Sequence, residues 1–508
     1  MNNNALYTLK MSNSLSKFFI VALAALATSC GGNKHKNLSQ TTGWKVNTSG
    51  NGGFEAALNF KQELPVGMVF VEGGSFIMGQ TEEDVLMEQN ARPRQVSVAS
   101  FYMDETEVTN VSYREYLFWL TRVFGESYPE VYWNALPDTN AWRSELGYND
   151  PMVNNYLRHA GFSHYPVVGV NWDQVQDYCA WRTDRVNELA LIKAKSLKHN
   201  TEQFDDDNFN TETYRAGQYT GAIRKNKGYR DLRNPKNKVG RRGAKEDGVL
   251  IPGFRLPTEA EWEFAAWGLI GNSIEGNIAD GRYYPWDRNS LRDNRKKFQG
   301  ELLANFKRGD GDNMGIAGSL NDAGARTMEI KSFPPNDYGL FDMSGNVAEW
   351  VLDVYRDDAV GQDDFMAFRG NVFTDKAKDE EGYYIEADSL GRMQTVEAEA
   401  DKLRRNYQRA KNSDRYDGDI ESSIYYSKGD SQGEAAMYDY GKTTLVNNNV
   451  HVYKGGSWKD RSYWLNPGTK RFLNSDIGTD FIGFRCVMDR MGSQNLKPNK
   501  KKASKMTR

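Results

Sequence analysis

Residues 332–353 read SFPPNDYGLFDMSGNVAEWVLD, and this stretch decides the kind of fold more than any other part of the chain. Pro334 and Pro335 interrupt any helix, because proline lacks the backbone N–H and also restricts the residue before it. The alternation of side chains over Tyr338–Phe341 predicts a short strand. We therefore expect a turn-rich segment with brief strands here, rather than a long helix.

Two carboxylates follow within the same stretch. Asp342 and Glu349 are seven residues apart, and a Gly345-Asn346 turn lies between them. This spacing suits a hard cation, which takes several oxygen ligands from side chains and backbone carbonyls. A tight loop that caps itself through its Asp and Asn side chains would explain the same residues. The spacing alone leaves both interpretations open.

Outside this stretch, the pattern alternates between short strands and short helices. Met68–Gly79 predicts two strands joined by a hairpin turn at Gly73-Gly74, and Gln95–Ser100 predicts a further strand. Helices are expected to begin at three polar caps, which can accept hydrogen bonds from the first free N–H groups. These caps are Thr109 or Asn110, Asn171 with Gln174 as its reciprocal partner, and Thr258 with Glu261. Short helices scattered among hairpins favour an α+β fold.

Length and charge narrow the classes of protein that remain. A chain of 508 residues would ordinarily hold roughly two to four domains. The formal net charge is −3, so no overall field favours nucleic acid as a partner. Aromatic residues make up 12% of the chain, which is typical of a loop-rich fold with aromatic anchors and not of a disordered chain.

The first 29 residues predict a lipoprotein signal peptide. Lys10 and Lys17 precede an apolar run, Phe18–Ala27, which is too short to span a bilayer but suits a secretory signal. Small residues then lead to Cys30, where cleavage and acylation would create a lipid anchor. An ordinary signal peptide with an incidental cysteine is the alternative. Because no acidic residue follows Cys30 closely, we expect an outer-membrane location facing the periplasm.

The rest of the chain divides by composition. Residues 30–63 are rich in Gly, Asn, Ser, Thr and Lys and predict a lipidated tether. The folded domain is expected at 64–490, with insertions at 190–250 and 355–450, followed by a basic flexible tail at 491–508.

The first insertion has a dense basic block. Ten lysines and arginines lie between Arg224 and Lys245, and Asp231 is the only acid among them. Such a block is usually a solvated loop. Contact with an acidic protein or with anionic lipid head groups is the functional alternative.

Six motifs, in order along the chain, resemble those of the formylglycine-generating-enzyme (sulfatase-modifying factor) domain. The most specific are Arg255–Glu263 and Gly345–Trp350. The resemblance implies one mixed α+β domain with little regular structure, distantly similar to C-type lectin domains, in which long insertions account for the size. The motifs are Met68–Gly79, Asp104–Asn110, Pro166–Trp172, Phe254–Gly268, Phe333–Val351, and Lys454–Trp458 with Gly483–Cys486.

The resemblance also implies two structural calcium ions. Mixed side-chain and carbonyl oxygens, as expected for calcium, are available at the matching positions. The first ion would bind Asn305 and Asp322 with the carbonyls of Phe306 and Gly324, and the second would bind Asp342 and Glu349 with the carbonyls of Gly345 and Val347.

The oxidase chemistry of that family requires two cysteines shortly after a Gly-Gly-Ser stretch, because soft thiolates select Cu(I). Here Asp460 and Leu465 take those positions. We therefore expect no catalytic residues, no copper and no enzyme activity. Cys179 and Cys486 are expected to be buried free thiols, although they could pair in an oxidising compartment.

A lipoprotein with this domain and no catalytic cysteines is similar to the gliding-motility lipoproteins of the GldJ and GldK (PorK) type, which belong to Bacteroidetes and their type IX secretion apparatus. This similarity implies a structural component at the outer membrane, with other Gld/Por proteins as partners. The alternative is a lipid-anchored module that binds a peptide or glycan in the former active cleft.

Overall fold

The computed structural model describes residues 38–39, 41–57, 60, 62–79, 91, 93–144, 147–219, 221, 229, 231–234, 236, 241–268, 282–286, 290–309, 324–355, 374–398 and 449–492. The signal peptide, Cys30, Asp322, most of the second insertion and the basic tail from residue 493 lie outside these ranges. Among the helices described, none combines the length and the apolar character needed to cross a bilayer.

Two four-stranded sheets form the framework of the described chain. The strands are β1 (Met68–Val71), β2 (Gly74–Met78), β3 (Arg94–Val98), β4 (Phe101–Asp104), β5 (Phe254–Arg255), β6 (Ala348–Val354), β7 (Thr374–Lys376), β8 (Thr395–Glu397), β9 (Val450–Lys454), β10 (Arg471–Asn474), β11 (Ile482–Gly483) and β12 (Val487–Asp489). The first sheet has the order β1-β4-β12-β5 and the second β10-β9-β6-β11, while β2-β3 and β7-β8 form separate pairs. Only β11 and β6 pair in parallel among these strands. The mixture of helices with mainly antiparallel sheets confirms the α+β prediction.

Six α-helices accompany the sheets in the described residues, and the three caps read from the sequence are confirmed. Thr109 accepts a hydrogen bond from the backbone of Ser112, and both Asn171 and Thr258 form complete capping boxes. The helices are α1 (Asn110–Phe124), α2 (Pro129–Ala135), α3 (Asp150–Asn155), α4 (Trp172–Lys193), α5 (Thr211–Ala216) and α6 (Glu259–Trp267).

The predicted hairpin at Gly73-Gly74 is wrong. β1 pairs with β4 and β2 pairs with β3, so the chain passes from one sheet to another at this point. Gly73 lies so close to the backbone of Val98 and Ala99 that a Cβ atom would overlap it. The glycine is needed for this close crossing and not for a two-residue turn.

The short strand predicted at Tyr338–Phe341 is also absent. The side-chain oxygen of Asn336 instead accepts hydrogen bonds from the N–H groups of Tyr338 and Leu340. A local turn of this kind competes with strand pairing, because it satisfies the same backbone donors.

The main core lies where α1 and α4 pack together. The rings of Tyr113 and Tyr178 stack with centroids 5.6 Å apart. Cys179 and Cys486 are buried there as free thiols, as expected, with their Sγ atoms 3.5 Å apart. The hydrogen bond to Cys486, followed by burial, raises the pKa of the Cys179 thiol well above its usual range. Because the thiolate is the reactive form, Cys179 is chemically inert in this fold.

The described parts of the two insertions contact each other. Gln218 in the first insertion donates to the carbonyls of Tyr384 and Ile385 and accepts from the N–H of Ala387. The side chain of Asn208 donates to the carbonyl of Leu390 at 2.8 Å. The first insertion also has a small core of its own, formed by Leu191, Leu197, Phe209, Tyr214 and Tyr219. The described parts of the two insertions therefore pack together as one unit, here called the joint appendage.

The described part of the predicted tether contacts this appendage and the domain. Glu55 accepts a hydrogen bond from Arg241 Nε at 2.9 Å and is also bound by its Nη2. Gln62 donates to the carbonyl of Asp489 and accepts from the N–H of Met491. Glu55 is thus attached to the appendage and Gln62 to the domain, contacts that the composition of the predicted tether does not indicate.

A buried ionic network joins α6 to β6 and β9. Lys454 Nζ donates to Glu263 at 2.8 Å and to Glu259 at 3.3 Å. Asp353 accepts a hydrogen bond from the N–H of Glu259 at 2.6 Å. Burial, followed by the charge of Glu259, raises the pKa of Asp353 to about 8.

This network predicts a pH dependence of stability. Because the folded state binds the proton of Asp353 more tightly than the unfolded state, the free energy of unfolding should fall as the pH rises from the ordinary value of 3.8 to about 8. Asp353→Asn keeps an acceptor for the N–H of Glu259 and removes the titrating group. Its melting temperature should therefore fall less over this range than that of the wild type. Asp375→Asn on the exposed strand β7 is the control and should behave like the wild type; equal slopes for all three proteins would contradict the assignment.

Candidate functional site

The stretch 342–349 is held in place by a buried arginine. Arg485 Nε and Nη2 donate to the two carboxylate oxygens of Glu349 at 2.7 and 2.6 Å. Trp262 Nε1 on α6 donates to the same carboxylate at 2.7 Å. Arg485 and Glu349 are both almost completely buried. The sequence motif at residues 483–486 contains this arginine, but nothing local to it indicates its partner.

A third buried carboxylate, Glu107, lies beside this pair and was missed in the sequence. It accepts hydrogen bonds from the side chain of Asn346 at 3.1 and 3.2 Å. Burial, followed by the charge of Asp342, raises the pKa of Glu107 well above its usual range. Glu107 belongs to the Asp104–Asn110 motif, but its neighbours Glu105 and Thr106 are also polar, so no local pattern marks it as buried.

Asp342 belongs to the same electrostatic group. Burial raises the pKa of Asp342 to about 6, and its carboxylate accepts a hydrogen bond from the N–H of Lys331 at 3.1 Å. Glu107, Asp342 and Glu349 thus surround a single guanidinium, that of Arg485. Three carboxylates near one buried cation leave an excess of negative charge, which either protonation or a bound cation would relieve.

The first predicted calcium set contains an unsatisfied acceptor. Asn305 is buried, and its Nδ2 donates to the carbonyl of Arg326 at 2.7 Å. Its Oδ1 has no hydrogen-bond partner within the described structure. Gly324 lies beside this oxygen, since a Cβ atom on Gly324 would be 2.7 Å from it. A buried amide oxygen without a donor is the kind of ligand that a calcium ion would satisfy. Asp322, the remaining side chain of this set, lies outside the described residues.

The second predicted set is partly engaged. The carboxylate of Glu349 already accepts three hydrogen bonds from Arg485 and Trp262. Asp342 and the carbonyls of Gly345 and Val347 therefore remain as the more available oxygens. In the part of the chain that the structure describes, no three His, Cys, Asp or Glu side chains converge on a metal position. Calcium at either set would depend on amide and carbonyl oxygens as well as carboxylates.

The two positions that would carry thiols have other roles. Arg471 Nη1 and Nη2 donate to the two oxygens of Asp460, each at 2.6 Å. Ser457 donates to the same carboxylate at 2.5 Å. Leu465 is fully buried in an apolar cluster with Tyr284, Leu302, Ala304 and Phe306. A paired carboxylate and a buried leucine offer no soft ligand for Cu(I).

A cleft adjoins the buried leucine. Ser344 lies in its wall and donates from Oγ to the carbonyl of Leu465 at 2.6 Å. Most of the lining is apolar, with Asn336, Asp342 and Ser344 as the polar members. The apolar members are Pro285, Trp286, Leu303, Phe333, Pro334, Leu340 and Met343. The enclosed space is about that of one water molecule, so any larger group would lie against the mouth of the cleft.

These features define a mixed α+β domain in which short strands and turns are joined through a buried ionic centre. Residues 54–490 match the family model described as a sulfatase-modifying factor enzyme 1-like domain, and the chain therefore belongs to the FGE-sulfatase family. The match spans most of the chain and confirms the fold expected from the motifs.

Both active and inactive relatives are similar to this chain. The formylglycine-generating enzyme of Mus musculus is 23% identical over 310 residues, which cover 56% of this chain and 58% of that protein's length. The inactive C-alpha-formylglycine-generating enzyme 2 of Mus musculus is 25% identical over 333 residues, covering 61% of this chain and 75% of that protein. Among solved structures, PvdO from Pseudomonas aeruginosa aligns over 83% of this chain and 94% of its own, with 16% identity and a TM-score of 0.38.

The buried ion pair predicts a large loss of stability on substitution. Arg485→Met leaves Glu349 buried without its partner, and the free energy of unfolding should fall by about 3–5 kcal/mol. Arg143→Met is the control, because Arg143 pairs with Asp150 on the exposed surface at 3.4 Å. That change should cost less than about 1 kcal/mol. Urea unfolding of both variants measures the difference, and similar costs would refute the central role of Arg485.

Proposed function

We propose that this protein is a non-catalytic, lipid-anchored structural component of the Bacteroidetes gliding-motility and type IX secretion machinery at the periplasmic face of the outer membrane. The observation that carries the non-catalytic part is the replacement of both reactive thiols. Asp460 is committed to Arg471, and Leu465 fills an apolar cluster. Neither side chain is a soft ligand for Cu(I), and neither can form a disulfide with a substrate thiol.

Two further observations support a structural role. An inactive member of the family is similar to 61% of this chain, so the frame exists without the chemistry in at least one relative. The two insertions contact each other through Gln218 and Asn208, and they form a joint appendage that a partner could recognise as one surface. The predicted anchor at Cys30 supports the membrane location. The choice of machinery is supported by the combination of a lipid anchor, this domain and no catalytic cysteines, which resembles GldJ and GldK.

The test of this proposal combines a pull-down with an activity assay. The full lipidated chain, solubilised from outer membranes in detergent, should recover other Gld/Por proteins at near-stoichiometric ratio by mass spectrometry. The purified protein loaded with Cu(I) should not oxidise a cysteine-bearing peptide. Asp460→Asn should leave motility and secretion intact in cells. Copper-dependent turnover, or recovery of no machinery protein, would refute the proposal.

One alternative function is the binding of a peptide or glycan at the mouth of the cleft beside Leu465. Trp286 and the prolines in its lining provide apolar surface for such a ligand. Saturable binding by the isolated protein, lost in Trp286→Ala and retained in Trp133→Ala, would favour this function. Trp133 is the matched control because it is exposed on α2.

Calcium is proposed as a structural ion of the same protein. The unsatisfied Oδ1 of Asn305 beside Gly324, and the excess negative charge around Arg485, both support it. Asn305 and Asp322 with nearby carbonyls would hold one ion, and Asp342 with the carbonyls of Gly345 and Val347 would contribute to the other. Bound calcium would connect loops that form few backbone hydrogen bonds of their own with neighbouring strands.

This proposal predicts stabilisation by calcium. At a free calcium concentration about 100 times the dissociation constant, the free energy of unfolding should rise by about 2.7 kcal/mol per site, and a chelator should reverse it. Asn305→Ala should remove most of the effect of the first site. Asn187→Ala, which alters another fully buried amide, should destabilise the protein yet keep the calcium-dependent difference. Thermal unfolding with and without a chelator measures these shifts, and an unchanged melting temperature would exclude calcium.

A further inference from the structure

The described residues between 41 and 66, here called the N-terminal strap, expose an unusual number of large apolar side chains. Val66 is 97% exposed, and four others exceed two-fifths. Isolated exposed apolar residues are normal on a protein surface, but a concentration within one short segment marks a contact surface. The residues are Trp44, Phe54, Phe60, Leu64 and Val66.

The strap presents these side chains from a fixed position. Val46 is buried, and Glu55 is bound by Arg241 of the first insertion. Gly53 lies against the backbone of Leu232 and Arg233 so closely that a Cβ atom would overlap it. Phe54, the next residue, is therefore exposed beside the insertion rather than at the end of a free chain.

Exposed cations lie on the strap and on the insertion beside it, with Glu63 as the exposed acid of the strap. Arg233 and Lys236 are exposed on the insertion, and Lys45 is exposed next to Trp44. The carboxylate of Asp231 accepts hydrogen bonds from the N–H groups of Arg233 and Asn234, so it serves the local turn. Aromatic side chains interspersed with cations suit the boundary between acyl chains and anionic head groups.

We infer that the strap, together with Arg233 and Lys236 of the neighbouring insertion, lies on an anionic lipid surface. The position of the predicted anchor favours a membrane over a protein partner. Cys30 precedes Trp44 by only 14 residues, so even a fully extended chain keeps Trp44 within about 50 Å of the acylated residue. This step rests on the lipid anchor of the proposed function. With the acyl chains in the bilayer, this short connection keeps the strap within reach of the membrane surface.

The experiment uses the mature full-length chain, residues 30–508, with Cys30→Ser so that no acyl chain contributes. Flotation should show binding to vesicles of phosphatidylcholine mixed with phosphatidylglycerol. Binding to vesicles of phosphatidylcholine alone should be much weaker, and added salt should weaken the binding to the mixed vesicles. No flotation with the mixed vesicles would overturn the inference.

Paired variants locate the surface. Arg233→Glu and Lys236→Glu should each lower the partition onto anionic vesicles by at least about fivefold, since a basic residue near the surface contributes about that factor. The double variant Trp44→Ser/Phe54→Ser should lower the partition onto anionic vesicles further, without a change in melting temperature. Phe118→Ser on α1 and Lys296→Glu are matched controls, because both side chains are exposed away from the strap in sequence.

The outcomes separate this inference from the proposed function. If the strap variants bind vesicles as well as the wild type does, the inferred lipid-contact surface is wrong, whether or not Cys30 is acylated. Strap variants that keep vesicle binding but lose a Gld/Por protein in the pull-down would assign the surface to a protein and also overturn it. The lipid anchor is tested separately. A strap variant that keeps Cys30 should still fractionate with membranes, because acylation does not depend on the strap.

Discussion

The buried guanidinium of Arg485 is the interaction on which the rest of the domain depends. It pairs with Glu349 on β6 and also donates to the carbonyls of Asp104 and Phe341 at 3.2 and 2.9 Å. Trp262 brings α6 to the same carboxylate. Arg485 thus contacts both sheets and a loop directly, and it is connected to the helix through Glu349. A buried ion pair adds little net stability by itself, but removing one partner is costly, so the pair acts mainly by fixing one arrangement of the elements.

The sequence predicted the local parts of this structure well and the non-local parts poorly. The helix starts at Thr109, Asn171 and Thr258 depend on contacts within three residues, and the caps identify them directly. The partner of a strand depends on residues far along the chain. At Gly73-Gly74 the local pattern was therefore consistent with a hairpin, although the two strands belong to different sheets.

The candidate site shows the same division. Counting from a motif was enough to place Asp460 and Leu465 at the thiol positions, but not to show that Asp460 pairs with Arg471 or that Leu465 is buried. Glu107 was not found, because a burial that depends on the whole fold leaves no local pattern. The pairing of Arg485 with Glu349 spans 136 residues of sequence, and no spacing rule connects them. The calcium ligands came from resemblance, and their role stays a proposal.

β12, the last strand in chain order among the described residues, has a central place in the first sheet. It lies between β4 and β5, with Val487 opposite both Met103 and Arg255. β4 and β5 are therefore joined only through a strand that is far from both of them in sequence. Contacts between such distant segments give this sheet a high contact order, and its closure is expected to be a slow step in folding.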